Sequence, residues 1–386
     1  MNPAIREAVL WRPTLHDGIS LNFQTGQHYV KAIGGVLARG ALTDFFTFTG
    51  GNQSRYMGPA GLLVASATNT PRIEYDASGN CLGLLMEAAR TNLGLHSDDH
   101  TNAAWVKTNM TTAKTSTGPD GVASSATRLT ASAGNATSLQ TVTSASATRA
   151  YSVWMRRITG SGNIQMTLDN GAGWTTKTLT TSWQRFDITQ AAVTNPVFGI
   201  RIVTSGDAID VYGNQLESAG FASSLIPTTT GSVARTVDSC IRTLGAEFSA
   251  TAGTVVVAGR ASGGQDASAQ GVWAFGVFPD VLFFQRQAAS DTGRFNAFTA
   301  GAAQSGIDGT FTNSTPFKSA VAYATNDCAL SFNGGAIVPD ASVALSGSYA
   351  GLYLGMVAGF PMNGHIRAFD YYPSRLSNAD LVRLAA

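Results

Sequence analysis

Between residues 150 and 217, hydrophobic side chains recur at every second position in short stretches. Tyr151, Val153 and Met155 form one such set, Ile164, Met166 and Leu168 a second, and Phe186 and Ile188 a third. Phe198, Ile200 and Ile202, then Ile209 and Val211, complete the series. A period of two puts successive side chains on opposite faces of an extended chain, so each stretch reads as a strand with one face in a core. Between them lie turn clusters such as Thr159-Gly160-Ser161-Gly162-Asn163 and Asp169-Asn170-Gly171-Ala172-Gly173. Glycine and asparagine accept the positive φ that tight turns require. Short strands at this spacing predict an antiparallel all-β sandwich or barrel.

Composition points the same way. Glycine supplies 42 of 386 residues, and charged residues are only 13% where about a quarter is usual. The expected surface is therefore polar without being ionic. The net charge is +1, and the five lysines (Lys31, Lys107, Lys114, Lys177 and Lys318) are scattered. Phosphate binding depends on clustered cations, so a nucleic-acid partner is not expected. No window approaches the ~20 apolar residues of a membrane span. Arg6, Glu7 and Arg12 stand where a signal peptide would need its apolar core, so neither a membrane partner nor export by that route is expected. Cys81, Cys240 and Cys328 lie far apart and form no CxxC pair, which predicts buried thiols instead of a disulfide framework or zinc site.

The alternating pattern lapses at Ile226-Pro227-Thr228-Thr229-Thr230-Gly231-Ser232, which suits a connection better than a core strand. A boundary is placed at residue 238. Strand signals resume at 254–258 and recur through 272–278, 281–285, 320–323, 330–332, 352–356 and 366–371, predicting a second sandwich over 239–386. Asn333-Gly334 between strand-like segments is a type I′ hairpin signal. Ser377 with Asp380 three residues later resembles a capping box, so a short terminal helix is expected. Residues 1–95 are broken by Gly34-Gly35, Gly50-Gly51, Gly58 and Gly61 and show no sustained period. They read as an irregular segment that packs on a partner or on the sandwich over 96–238.

Several motifs occur together in order. Thr70-Pro71-Arg72-Ile73-Glu74-Tyr75-Asp76, Cys81-Leu82-Gly83-Leu84-Leu85-Met86-Glu87 and Ala89-Arg90-Thr91-Asn92-Leu93 are followed by Leu95-His96-Ser97-Asp98-Asp99-His100-Thr101-Asn102-Ala103-Ala104-Trp105-Val106-Lys107. Further matches are Tyr151-Ser152-Val153-Trp154, Ser182-Trp183-Gln184-Arg185-Phe186, Val211-Tyr212-Gly213-Asn214-Gln215-Leu216-Glu217 and Ile226-Pro227-Thr228. Over about residues 60–240 the chain thus resembles a phage virion family of tail fibres, tail spikes and head spikes, in which "PRFDYD…GLLIEEARTNL" precedes "YSEDFSNAAWTK". The resemblance implies a carbohydrate-binding-module-like sandwich after the RTNL segment and leaves head or tail open. Residues 246–386 separately resemble the laminin-G and concanavalin-like jelly roll through Phe317–Tyr323, Ala329–Gly335, Asn363–Arg367 and Tyr371–Ser377. That family often binds glycans and also serves as a plain structural module.

Enzyme motifs are absent: no GxSxG, GxGxxG, P-loop or HExxH occurs. Glycoside hydrolysis needs two carboxylates facing across a cleft. Asp98-Asp99, Asp207, Asp210 and Glu217 are available, but all lie in motif or turn contexts, so no enzyme is expected. His96-Ser97-Asp98-Asp99-His100 is the densest set of metal-ligand types. The resembled motif usually has aromatic residues at the two histidine positions, so these are read as packing rings. No cofactor is expected, though turn oxygens of Asp169, Asn170 or Asp207 could contribute to a structural calcium site.

Glycan binding normally uses an aromatic face with a few placed polar groups. Trp174 follows a turn instead of sitting in a strand, and with Asp169 and Asn170 it forms the candidate site. Trp105, Trp154 and Trp183 fall at resembled positions read as core, and Trp273, Tyr353 and Phe360 are weaker alternatives beside strand runs. The Asn-x-Ser/Thr triplets at Asn52, Asn109, Asn135 and Asn313 carry no weight for a phage product.

The resulting expectation is a virion surface protein made in the bacterial cytoplasm. A segment over 1–95 would attach it to other virion proteins, and two sandwiches would project from the particle. The expected ligand is host surface polysaccharide, bound by a homo-oligomer, in the resembled fibres a trimer, in which linked weak sites act together. The rivals are a purely architectural capsid, collar or baseplate role, and an enzyme acting on surface glycan.

Overall fold

The computed structural model describes residues 16–261, 268–288, 290–312 and 314–386. Residues 1–15 of the expected attachment segment, with Arg6, Glu7 and Arg12, and the triplet at Asn313 lie outside them. The chain is nearly all β. Among the described residues strand pairings are antiparallel, apart from an isolated parallel bridge between Asp169 and Val197. Contacts divide it into two units, each described by itself.

One unit comprises Gly50–Asn80 and Ala88–Val237. Its first sheet runs Val106–Thr108, Ala136–Thr141, Val197–Ile202, Ile164–Thr167, Thr175–Lys177. The second runs Met110–Ser116, Ala126–Ala131, Ala208–Glu217, Ala147–Thr159, Gln184–Val193. Tyr151, Val153, Met155, Ile164, Met166, Phe198, Ile200, Ile202, Ile209 and Val211 are all fully buried in one core, with Phe186 and Ile188 packed against it. The alternation therefore marks the inner faces. Trp105 is buried in the same core, as its position suggested, whereas Trp154 and Trp183 are half-buried against a cluster on the other side of the second sheet. There Met57 and Leu63 pack with Ala126, Tyr212 and Leu225. This cluster covers Tyr212, while Arg128 and Arg156 cover Asp210 and residues 223–226 cover Gln215 and Glu217, so all ten residues of Ala208–Glu217 are buried.

The other unit comprises the described residues up to Thr49, Cys81–Glu87 and Asp238–Ala386. One sheet runs Val338–Asp340, Cys328–Phe332, Phe317–Ala324, Ala252–Ala261, Gly364–Tyr372, Gly18–Asn22, Gln27–Lys31, Leu37–Gly40, with Cys81–Met86 also paired to Gly364–Tyr372. The facing seven-stranded sheet runs Ala302–Thr310, Thr292–Thr299, Asp280–Arg286, Gln270–Val277, Gly351–Leu354, Ser239–Thr243, Thr47–Thr49. Aromatic rings join the two across the core, Phe275 meeting Tyr371 at 5.1 Å and Tyr323 at 6.3 Å between centroids. The helix Asn378–Ala385 is capped by Ser377, whose Oγ accepts from the Asp380 amide at 3.2 Å. Leu381 and Ala385 bury against Val256, Ala320, Ala322 and Ala329.

The expected domain limits of 1–95 and 96–238 need correction at their first boundary. The described part of 1–95 is no separate irregular body. Gly18–Asn22 pairs with Gly364–Tyr372, Thr47–Thr49 with Ser239–Thr243, and residues 50–80 belong to the first unit described. The chain changes units again at Val237/Asp238. Cys240 and Cys328 are buried thiols, whereas Cys81 is half-buried, and all three are free.

Candidate functional site

The turn Asp169–Gly173 connects Ile164–Thr167 to Thr175–Lys177, and Trp174 enters the second strand from it. Asn170 and Gly171 turn the chain with φ of +59° and +80°. The Asp169 carboxylate organises the turn. Its Oδ1 accepts from the Gly173 amide at 2.8 Å and from Thr167 Oγ1 at 2.9 Å, and its Oδ2 accepts from Gln190 Nε2 at 3.2 Å. Burial opposes its ionisation, yet these hydrogen bonds prevail and hold it below the ordinary carboxylate value. Asn170 is exposed; its amide nitrogen donates to the Val197 carbonyl at 3.0 Å.

The structure thus brings Trp174, Asp169 and Asn170 into one loop, but Trp174 is not the bare platform expected. The ring is half-buried. The Arg201 guanidinium carbon lies 4.2 Å from the ring centroid, a cation–π arrangement. Gly171 adjoins the ring as well: a Cβ there would lie 2.8 Å from Trp174 Cζ2. Arg201 is fixed by Gln165, whose Oε1 accepts from Nε at 2.8 Å and also from Nη2. Cross-strand register sets this row, with Thr137 opposite Arg201, Arg201 opposite Gln165, and Gln165 opposite Thr176. Because Phe198, Ile200 and Ile202 point into the core, Arg201 stands on the outer face. Arg201, Gln165 and Gln190 escape a sequence reading, since outer-face residues of a strand look like ordinary solvated positions.

The remaining sequence candidates have local roles. Asp210 is buried between Arg128 Nε at 2.8 Å and Arg156 Nη2 at 2.9 Å. Asp207 meets Arg157 Nη1 at 3.1 Å and the Gly162 amide at 2.8 Å. Glu217 accepts from the Ser223 amide and hydroxyl and from Gln215. Asp169 and Asp207 have different partners in different turns, so the calcium donors considered together are not gathered. Among the described residues no group of three His, Cys, Asp or Glu side chains is placed to hold a metal ion.

His100 is a core ring. It stacks on Trp105 at 3.9 Å, its Nδ1 lies 2.7 Å from Ser138 Oγ, and its Nε2 lies 2.8 Å from Asn214 Nδ2. Because Nδ2 can only donate, Nε2 accepts and Nδ1 carries the proton. Burial pushes its pKa down to about 3. His96 sits in a turn with φ of +48°. Desolvation raises Asp98 to about 6, although Arg55 and the Gly213 amide favour its charged form. Asp99 accepts from the Thr101 amide and hydroxyl.

In the other unit Trp273 is buried, and Tyr353 lines an apolar groove of about 340 Å³ with Phe278, Phe283, Phe298, Met356 and Val357. The lining offers little beyond the Tyr353 hydroxyl to orient a sugar. Phe360 is exposed in the neighbouring hairpin.

The fold and outer-face site define an all-β protein of two sandwich units. No protein-family model matches the chain, and no curated protein does. Among solved structures it is similar to Trypanosoma rangeli sialidase, with a TM-score of 0.31 and 13% identity over 38% of this chain and 25% of that one. It is also similar to the botulinum neurotoxin serotype D binding domain, with a TM-score of 0.32 and 12% identity over 38% of this chain and 39% of that one. The receptor binding domain of the mosaic serotype C/D neurotoxin gives 0.31 and 11%, over 38% of each chain. The chain spans well under two thirds of these proteins, and likenesses at this level assign it no activity.

Proposed function

We propose that this protein is a virion surface component of a bacteriophage that binds host surface polysaccharide through the outer sheet face carrying Trp174. The virion assignment rests on the ordered motifs between residues 60 and 240. The glycan assignment is carried by one observation: a half-buried indole on the outer sheet face follows the Asp169–Gly173 turn and lies beneath the Arg201 guanidinium, which the Gln165 amide holds in place. An apolar surface with a few fixed polar groups suits a sugar ring, which presents both C–H faces and hydroxyls. Single contacts of this kind are weak, and display as a homo-oligomer, with a trimer as the working expectation, raises avidity without new chemistry. The paired Asp207 and Asp210 and the buried Glu217 give no support to a hydrolytic role.

A second reading, architecture without a ligand, is favoured by the packing of Arg201 and Gly171 against Trp174, which would also serve to pin the 169–174 turn. Calorimetry with purified host polysaccharide, comparing wild type with Trp174→Ala, separates the two. The adhesin reading expects saturable binding that the variant loses while its circular dichroism is retained.

A further inference from the structure

The expected sugar platform carries a cation, which bears on the class of glycan. We infer that the Trp174 site selects an acidic glycan, one whose sugar carries a carboxylate, with Arg201 as the residue that recognises it. This rests on the glycan-binding reading above and adds the charge of the ligand.

Arg201 lies over the indole at 4.2 Å, so a ligand approaching that side meets the guanidinium before the ring. The Nε and Nη2 side of the fork is committed to Gln165 Oε1. A guanidinium has five N–H donors in a planar fork, so the Nη1 and Nη2 end still has donors to offer, in the geometry that matches two carboxylate oxygens. Among the described residues Arg201 has no ion pair, in contrast to Arg128, Arg156 and Arg157, which are paired with Asp210 or Asp207. Asp169 is the carboxylate of the adjoining turn, and its oxygens are taken up by Gly173, Thr167 and Gln190. The rest of the cross-strand row, Thr137, Gln165 and Thr176, is neutral. A cation held in place by an amide and a ring, and left without a counter-charge, is pre-organised for an anion that arrives with the ligand. Guanidinium is also more weakly hydrated than ammonium, so its desolvation costs less than that of a lysine.

The test uses the full-length protein and a glycan array that carries uronate-containing oligosaccharides beside their carboxyl-reduced forms, with inorganic phosphate as a competitor. The expected result is that the acidic forms bind about tenfold or more tightly than the reduced ones, as befits hydrogen bonds to a charged group. Binding should weaken with added salt and fall to the level of the reduced glycans in Arg201→Met. Arg201→Lys, which keeps the charge but loses the fork, should fall between. The comparison of acidic with reduced glycan on the wild type needs no variant, so a misfolded variant does not blunt it. Equal binding of both forms, lost in Trp174→Ala, overturns the charge selection and leaves the adhesin reading standing. Binding abolished by millimolar phosphate overturns carboxylate recognition in favour of a general anion site. If no glycan of either kind binds, both readings fail.

Discussion

At the residue scale, His100 shows how a candidate metal ligand becomes part of a core. It occupies a ring position beside Trp105, and its two nitrogens are used by Ser138 and Asn214. Unfolded histidine takes up a proton near pH 6.5, whereas the folded chain refuses it until about pH 3. This contribution to stability is therefore present above pH 6.5 and is lost as pH falls from there toward 3. Asp98 acts in the opposite sense. Its folded value of about 6 lies above the ordinary 3.8, so its contribution is present below pH 3.8 and is lost as pH rises through 6. Asp98→Asn removes that second loss and keeps an oxygen for the Gly213 amide, which donates to Oδ1 at 3.0 Å. Urea midpoints should show the variant gaining on wild type between pH 3.5 and pH 7. A difference independent of pH would contradict the desolvation of Asp98. The proposed site is partly legible at this scale: Trp174 and Asp169 stand out because turn composition surrounds them. Arg201 does not, because its significance arises only when Val197–Ile202 and Ile164–Thr167 are set side by side.

Elements were legible where a local rule dictates them. The Asn333-Gly334 signal is realised as a turn with φ of +49° and +70°, closed by the Gly335 amide donating to the Phe332 carbonyl at 2.9 Å. A branched side chain at Gly334 would be held in the left-handed region and would also crowd Ala386, which lies 3.1 Å from the position of a Cβ. Gly334→Val should cost about 1–2 kcal/mol in chemical denaturation, and a loss within experimental error would argue against the turn geometry. The early strands could not be read in the same way. Gly18–Asn22 is buried at all five positions, so its two faces do not alternate between core and water, and several of the strands that follow are only three or four residues long. Gly18–Asn22 is placed by pairing with Gly364–Tyr372, more than three hundred positions away, and Thr47–Thr49 by pairing with Ser239–Thr243, relations that no local pattern encodes.

On the scale of the whole molecule, the second sandwich is completed by residues from the beginning of the chain. Ile19 and Leu21 are fully buried and lie opposite Tyr371 and Phe369. Removing residues 1–49 should therefore unfold or strongly destabilise the unit containing Asp238–Ala386 instead of simply releasing the protein from a particle. Calorimetry of the truncated chain, showing an undiminished transition, would contradict this role. The same truncation bears on the attachment proposal: a loss of particle incorporation is informative only if that unit still folds. Sedimentation equilibrium of the intact protein tests the oligomer, with a trimer expected and a monomer at micromolar concentration opposed to the avidity argument.

Everything proposed for this protein turns on whether the outer face bearing Trp174 holds a host glycan. The most direct test is titration calorimetry of the full-length protein with the host's isolated surface polysaccharide, beside Trp174→Ala with a native circular dichroism spectrum. Saturable binding by the wild type and none by the variant is the expected result. Equal binding by both, or binding by neither while the wild type still assembles onto particles, would contradict it.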